Sequence, residues 1–580
     1  AIISGILRST SSISPDKTEV LPFINTALVL CLSLIEKLDI AQNKLLKYLA
    51  DKHISEDQVK ELLAPTATDE GFIKSLDYFS TFYIKVVQKI LSHKTEGEIP
   101  SKLMNLFSAA SETIVKAQTF HLFKKLEYLP EWIHSVIDCI KSNFPAVAII
   151  GVRTIQIILL KSREDQIYAS LADLIHAESN RPKGQDVIRL IMEKLWALLD
   201  IHYIQLQVSD LLVSFQSRYR EIFADTVTNS FHVPSITEKE SAIRRFAAFW
   251  KLSNDMPKSE FIDSGVGLFI MLDFLDNDNP LLRHTSKSWL LDSISFLYRM
   301  IDPIYEVLMQ VNMNTGHLES EHYLAMYVTE SKQYFFTEVY DTKRVQEALR
   351  KLKSVLITAN ELFIRYIMTV KISERLKHHK RFFSHNGVDN VDNCTYLDLL
   401  VVLCLRYIQG HAIECLSPKF QIDSASVNAS ACEFMELLIH HVETKELSAK
   451  MTHFVTEPLL IVLGHAINNH DFVLQVQILN LLKVILFQSS FCTYEGTRYS
   501  CVSLLSSRKF VPNLLRGLNV EQPYVRVQFI NFISLCISVL TENLQKEALT
   551  LSVISILKAY FDNILSKQLE TSENNDEFEP

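Results

Sequence analysis

The strongest constraint on this chain is a short pattern that returns along it: a polar turn, often with proline, then an aliphatic and a basic or polar residue, then a helix with one apolar face. It reads Asn279-Pro280-Leu281-Leu282-Arg283 running to Trp289 and Leu290, and Gln522-Pro523-Tyr524-Val525-Arg526 running to Phe529, Phe532 and Leu535. Looser copies are Glu240-Ser241-Ala242-Ile243-Arg244 before Phe246 and Phe249, Asp471-Phe472-Val473-Leu474-Gln475 before Ile478, and Phe144-Pro145-Ala146-Val147 before Ile149. Proline at a first helical position sacrifices no intrahelical bond and starts a helix sharply. A preceding Asn or Asp can cap it. The step from Ile243 to Leu282 is about 39 residues and that from Leu474 to Val525 about 51, around the roughly 40–47 of HEAT or armadillo helix pairs.

At that period 580 residues hold about a dozen helical hairpins. None can bury its apolar face alone, so each must stack on its neighbours. The expected fold is all-α, an α-solenoid of HEAT/armadillo-like hairpins. Stripes such as Ile188, Ile191, Met192, Leu195, Trp196, Leu198 and Leu199 have helical spacing and lack the two-residue alternation of a strand. Trp196, Trp250 and Trp289 fall inside such stripes and are read as core. Gly 13 and Pro 16 are too few for the turns of a short-stranded β fold, and 48% hydrophobic against 22% charged residues excludes wholesale disorder.

The organisation expected along the chain is a helical-repeat region over 1–310, an irregular connector over 311–340, further repeats over 341–570 and an acidic, disordered tail over 571–580. His378–Asn393 and Ser489–Ser507 read as additional loops. The apolar stretches Val20–Ile35 and Phe144–Leu160 fall short of about 18 residues and carry Pro22 and Asn25, or Arg153, so no membrane span is expected. Without a leading Met or a signal pattern, the chain reads as an interior piece of a longer protein.

Catalytic signatures are missing. Gly265-Val266-Gly267 lacks a third glycine and a βαβ setting. A calcium loop begun at Asp276 would place Leu281 where Gly is required and Lys287 where Glu is required, which leaves Asp273, Asp276 and Asp278 as capping residues of a solvated turn. His378-His379 and His440-His441 are adjacent pairs that point apart on a helix. No two of the nine cysteines are spaced as a zinc knuckle or redox pair, so they read as reduced, small apolar groups. The expectation is no enzyme, no cofactor and no metal. A net charge of −9 provides no basic field for nucleic acid, which is not expected as a partner.

One segment departs from this background. Lys371 to Phe383 holds five Lys or Arg against one Glu and ends in two aromatics. Lys371, Arg375, Lys377, Lys380, Arg381, Phe382 and Phe383 are therefore a candidate contact with an anionic membrane surface. The competing reading is a solvated helix end, with both phenylalanines in the core.

The run from Glu240 to Leu252 (Glu-Ser-Ala-Ile-Arg-Arg-Phe-Ala-Ala-Phe-Trp-Lys-Leu), followed by Leu268–Asp273, Arg283 with Trp289-Leu290, and Arg299–Pro303 with Val307-Leu308, resembles the central block of Dopey proteins in order and spacing. Leu195-Trp196, Asp225-Thr226-Val227 and Trp132 resemble that family's preceding helices. The likeness covers about residues 120–310. It implies a large, non-catalytic, cytoplasmic scaffold of helical repeats, peripheral on Golgi and endosome membranes and active in traffic between them. The partners it implies are a large Arf-exchange-factor-related protein, a phospholipid-flippase ATPase and a kinesin. Two readings from other classes stand beside it: a helical-repeat nuclear-transport receptor, and an auxiliary scaffold subunit of an ion channel.

Overall fold

The computed structural model describes residues 2–51, 67–117, 128–162, 166–178, 186–255, 267–309, 326–328, 334–336, 341–378, 391–411, 418–441, 459–460, 462–485 and 510–542, with single positions at 558, 562 and 566. The tail 571–580, the loop 489–507, Gly265, Val266 and nearly all of 311–340 lie outside them. Two compact units are present, Ala1–Gly267 and Leu268–Pro580.

In the first unit the helices are α1 (Ile2–Ser11), α2 (Leu21–Asp51), α3 (Ala67–Leu91), α4 (Ser101–Ala117), α5 (Glu131–Lys141), α6 (Pro145–Lys161), α7 (Gln166–Glu178), α8 (Val187–Leu198), α9 (Gln205–Gln216), α10 (Arg220–Phe231) and α11 (Ile236–Leu252). They stack as two rows. α1, α3, α5, α8 and α10 pack in succession, as do α2, α4, α6, α9 and α11, while α7 lies against α6 and α8. This is the helical-hairpin stacking that the repeat pattern requires, because each helix has a partner in its own hairpin and others in the neighbouring ones. The predicted stripe on α8 is wholly buried from Ile188 through Leu199 at its seven positions, and Trp132, Trp196 and Trp250 are each 2% exposed.

The second unit contains α12 (Leu268–Asp273), α13 (Pro280–Asp292), α14 (Tyr298–Met309), a short antiparallel ribbon of β1 (Met326–Val328) and β2 (Tyr334–Phe336), then α15 (Thr342–Thr369), α16 (Glu374–Lys377), α17 (Tyr396–His411), α18 (Pro418–His441), α19 (Phe472–Lys483), α20 (Phe510–Gly517) and α21 (Pro523–Glu542). Here α15, α18, α19 and α21 form the continuous row. α15 is kinked at Asn360, whose φ is 35°.

The recurring motif has a definite local structure in this unit. Pro280, Phe472 and Pro523 each open a helix, and the third residue inward, Leu282, Leu474 or Val525, is buried. The next side chain reaches back to satisfy a carbonyl of the preceding turn. Arg283 donates to Asn277 O at 2.9 Å, Gln475 to Ala466 O at 2.9 Å and Arg526 to Val520 O at 3.2 Å. Asn279 and Asp471 cap their helices through Leu281 N and Leu474 N, both at 3.0 Å.

The copy at Glu240–Arg244 is not a helix start. α11 begins at Ile236, where Ser235 accepts from Glu238 N in a capping-box spacing, so Arg244 sits in mid-helix beside Glu240 at 3.4 Å. At α6 the equivalent support arrives from far along the chain. Glu96 accepts from Ala146 N at 2.7 Å, and Lys194 donates to Ser142 O at 2.6 Å. Gly267 has φ of +72°, and a Cβ there would lie 2.7 Å from Val227 and 3.0 Å from Phe246, so both its conformation and its packing require glycine.

The absence of any span-length apolar helix expected from sequence does not hold. Leu21–Leu38 within α2 has mean hydropathy 1.6 and is long and apolar enough to cross a membrane by length and composition. The stretch reaches span length because the uncharged run Leu21–Ile35 is followed by Leu38 and includes only two charges, Glu36 and Lys37, near its end. In this fold α2 packs on α1 and α4 and buries Leu21, Ile24, Leu28, Cys31 and Ile35.

Cys31, Cys139, Cys394, Cys404 and Cys432 are buried free thiols, and burial pushes Cys139 and Cys404 up to about 12. Cys415, Cys492, Cys501 and the side chain of Cys536 lie outside the described residues.

Candidate functional site

Lys371 to His378 forms a strap between α15 and α17, and it is tied down at nearly every residue. Ile372 N–H donates to Cys394 O at 3.1 Å and Tyr396 N–H to Val370 O at 3.3 Å, while Lys371 and Thr395 form an antiparallel bridge. Ser373 caps α16, accepting from Leu376 N at 3.4 Å, and Leu376 is fully buried.

The charges of the strap are used within the fold. Arg375 meets Glu306 of α14 through two parallel bonds, each 2.5 Å. Lys377 lies 2.7 Å from Glu374 and 3.6 Å from Asp392. Lys371, the exposed member, donates to Asn393 Oδ1 at 2.8 Å, a neutral partner. The structure thus brings Lys371, Arg375 and Lys377 onto one strap and gives two of them carboxylate partners. Lys380, Arg381, Phe382 and Phe383 lie outside the described residues.

Beneath the strap is a buried polar cluster. Asp302, one helical turn before Glu306 on α14, is 2% exposed and accepts from Tyr396 Oη at 2.7 Å. Tyr305 Oη donates to Tyr396 O at 3.0 Å. Burial raises the Asp302 carboxyl above its ordinary range, against the lowering influence of Ser373, Tyr396 and Arg375. Burial also lifts the Tyr366 phenol to about 12. Asp302 and Glu306 were not singled out from sequence. The available signal was two acids four apart in the otherwise apolar run Met300, Ile301, Ile304, Val307, Leu308, a placement that demands partners.

A second feature is a cleft of about 560 Å³ between α15 and α18, lined by Lys343, Glu347, Arg350 and Lys353 on one side and Ser430 and Glu433 on the other. Its cations are also engaged: Arg350 with Asp273 at 2.5 Å, and Lys353 with Glu433. Behind it Lys351, 1% exposed, pairs with Asp273 and lies 3.6 Å from Glu347. Burial draws its ammonium below the ordinary lysine range, and Asp273 works against that. Asp276 accepts from Ser354. Asp273 and Asp276, read from sequence as capping residues of a solvated turn, therefore anchor α15, and Asn279 supplies the cap of α13.

Chemically, both places are built from interlocking ion pairs. Among the described residues no three His, Cys, Asp or Glu side chains converge as metal ligands.

Residues 130–296 match a family model described as DOP1B-like, TPR repeats. No curated protein sequence matches the chain. Among solved structures, that of Kap121p is 13% identical, with 99% of this chain and 48% of that one covered and a TM-score of 0.26. Kap121p bound to RanGTP gives 12%, 99%, 50% and 0.26, and Kap121p bound to Nup53p gives 11%, 96%, 53% and 0.24. The chain spans about half the length of these structures.

Proposed function

Residues 130–296 are a DOP1B-like repeat block, and from that premise we propose that the chain is a non-catalytic scaffold in membrane traffic between endosomes and the Golgi, working through protein–protein contacts and peripheral membrane recruitment. The block supplies the single strongest support. It contains α5 to α11 of the first unit, the two-row stack in which helix faces are presented in series, and such surfaces suit the binding of extended partners. The partners in this reading are an Arf-exchange-factor-related protein, a phospholipid-flippase ATPase and a kinesin.

The lipid contact in this reading falls on Lys371, Lys380 and Arg381, with Phe382 and Phe383 entering the interface, because Arg375 and Lys377 have carboxylate partners. One exposed basic cluster is weak by itself, so a protein partner provides the second anchor. Proximity labelling of the full chain in cells tests the proposal. A set of labelled proteins drawn from Golgi and endosomes supports it, and a set drawn from nuclear pores and Ran-type GTPases overturns it.

A further inference from the structure

α2 carries more apolar surface than its packing consumes. Opposite the buried stripe, Phe23 is 75%, Leu30 56%, Val29 53% and Ile40 56% exposed. No charged side chain occurs from Leu21 to Ile35. The first that follows, Glu36, is held by Lys116 at 2.5 Å. Four large apolar side chains uncovered along one face of a helix are unusual on a surface that meets only water.

The strip also has a register. Phe23, Leu30, Lys37 and Lys44 recur every seven residues, with Thr26, Ser33 and Ile40 between them, the three-and-four spacing that lets two helices run side by side. Its charge is polarised: Glu19, partly offset by Lys17, precedes the helix, whereas the exposed Lys37 and Lys44 lie toward the other end. A parallel copy would set lysine against lysine. An antiparallel copy about a two-fold axis at Leu30 sets Glu19 between the partner's Lys37 and Lys44, and lays the methylenes of Lys37 over the partner's Phe23.

We propose that the outer face of α2 is a homotypic docking surface, on which a second copy of this chain binds antiparallel about a two-fold axis near Leu30. The pairing covers the apolar strip on both copies at once and closes on itself, so it does not propagate. It stands apart from the trafficking proposal, since it concerns a different unit from the strap and needs no membrane.

The test is sedimentation velocity of the whole chain over a concentration series, with cross-linking through introduced cysteines. A concentration-dependent dimer is expected. It is lost in Leu30→Glu, which places two carboxylates at the axis, while circular dichroism and melting stay unchanged because Leu30 faces solvent. Glu19→Lys weakens the dimer, and adding Lys37→Glu and Lys44→Glu restores it. Leu30→Cys forms an intermolecular disulfide. Phe23→Cys does not, because an antiparallel pairing separates the two copies of that position by about 21 Å at a rise of 1.5 Å per residue. A chain that stays monomeric throughout, a Leu30→Glu variant that still dimerises, or equal cross-linking at positions 23 and 30 overturns the proposal. So does a monomer that binds anionic vesicles through this face and loses that binding in Leu30→Glu, because the face would then belong to lipid.

Discussion

Arg375 and Glu306 meet side-on, Nε to Oε1 and Nη2 to Oε2, both at 2.5 Å, and so fasten the most basic segment of the chain to α14. The pair is partly shielded, with side chains 25% and 18% exposed, and its bidentate geometry makes it stronger than a surface ion pair. Arg375→Ala leaves Glu306 half-buried without its fork and is expected to cost about 1–3 kcal/mol. Arg375→Glu costs more, and combining it with Glu306→Arg recovers part of the loss. Urea unfolding of the four proteins reads this as a coupling energy, and simple additivity would show that the two side chains do not interact.

Trp289 and Leu281 belong to the same motif but differ in burial, at 4% and 45% exposed. Trp289→Ala should cost roughly 3–5 kcal/mol through lost burial and a cavity. Leu281→Ala should change stability by less than about 0.5 kcal/mol. Denaturant midpoints compare them directly. Equal effects would place Trp289 outside the core.

The side chain that follows the buried aliphatic residue in each motif is a structural cap. Gln475 is fully buried and shares Ala466 O with Asp471 N, so Gln475→Ala removes one of that carbonyl's two bonds and leaves a cavity, and should cost about 1–3 kcal/mol. Arg283 is exposed, and water replaces its bond to Asn277 O, so Arg283→Ala should cost under about 1 kcal/mol. The order of the two, measured by thermal or chemical unfolding, is the discriminating result.

Acid should act on this protein in two directions. Asp302 holds its proton more tightly when folded, because burial raises its carboxyl. Between about 3.9 and that raised value the folded chain carries the extra proton, so stability falls as pH rises through the interval. Asp16 and Glu36 are lowered by hydrogen bonds from Lys89 and Lys116, and the stability they add above their ordinary values is lost as pH falls through the lowered ones. Asp302→Asn is expected to remove the first effect only. Unfolding midpoints from pH 3 to pH 7 should therefore show the wild type gaining on the variant toward acid, and parallel curves would refute the assignment.

If the strap contributes to lipid binding, it does so through Lys371 and the residues after His378. Co-sedimentation with vesicles containing anionic lipid should fall when Lys371, Lys380 and Arg381 are changed to Glu, and should weaken with salt over a screening length of about 8–10 Å. Vesicles lacking anionic lipid should bind neither protein. Equal binding by wild type and variant would leave recruitment to protein partners.

The hairpin fold was legible in the chain because it rests on local chemistry. Proline and a capping Asn start α13 within a few residues of each other, and the stripe from Ile188 to Leu199 declares its buried face through spacing alone. The sequence-level motif misled at Arg244, because the true start of α11 lies at Ser235, where a capping box overrides the resemblance. What each charge does was decided only by tertiary structure. Asp273 looks like a cap and Lys371 to Lys377 like one basic patch when read in order. Yet Asp273 is spent on Arg350, 77 residues away, and Arg375 on Glu306, 69 residues away. Ionic partners at such separations leave no periodic trace, because Coulomb attraction depends on where the fold brings two groups and not on how far apart they stand in the chain. The outer face of α2 is the converse case. Phe23, Val29, Leu30 and Ile40 on it are as apolar as the buried residues, and only the packing of α1 and α4 against one side shows that they remain uncovered.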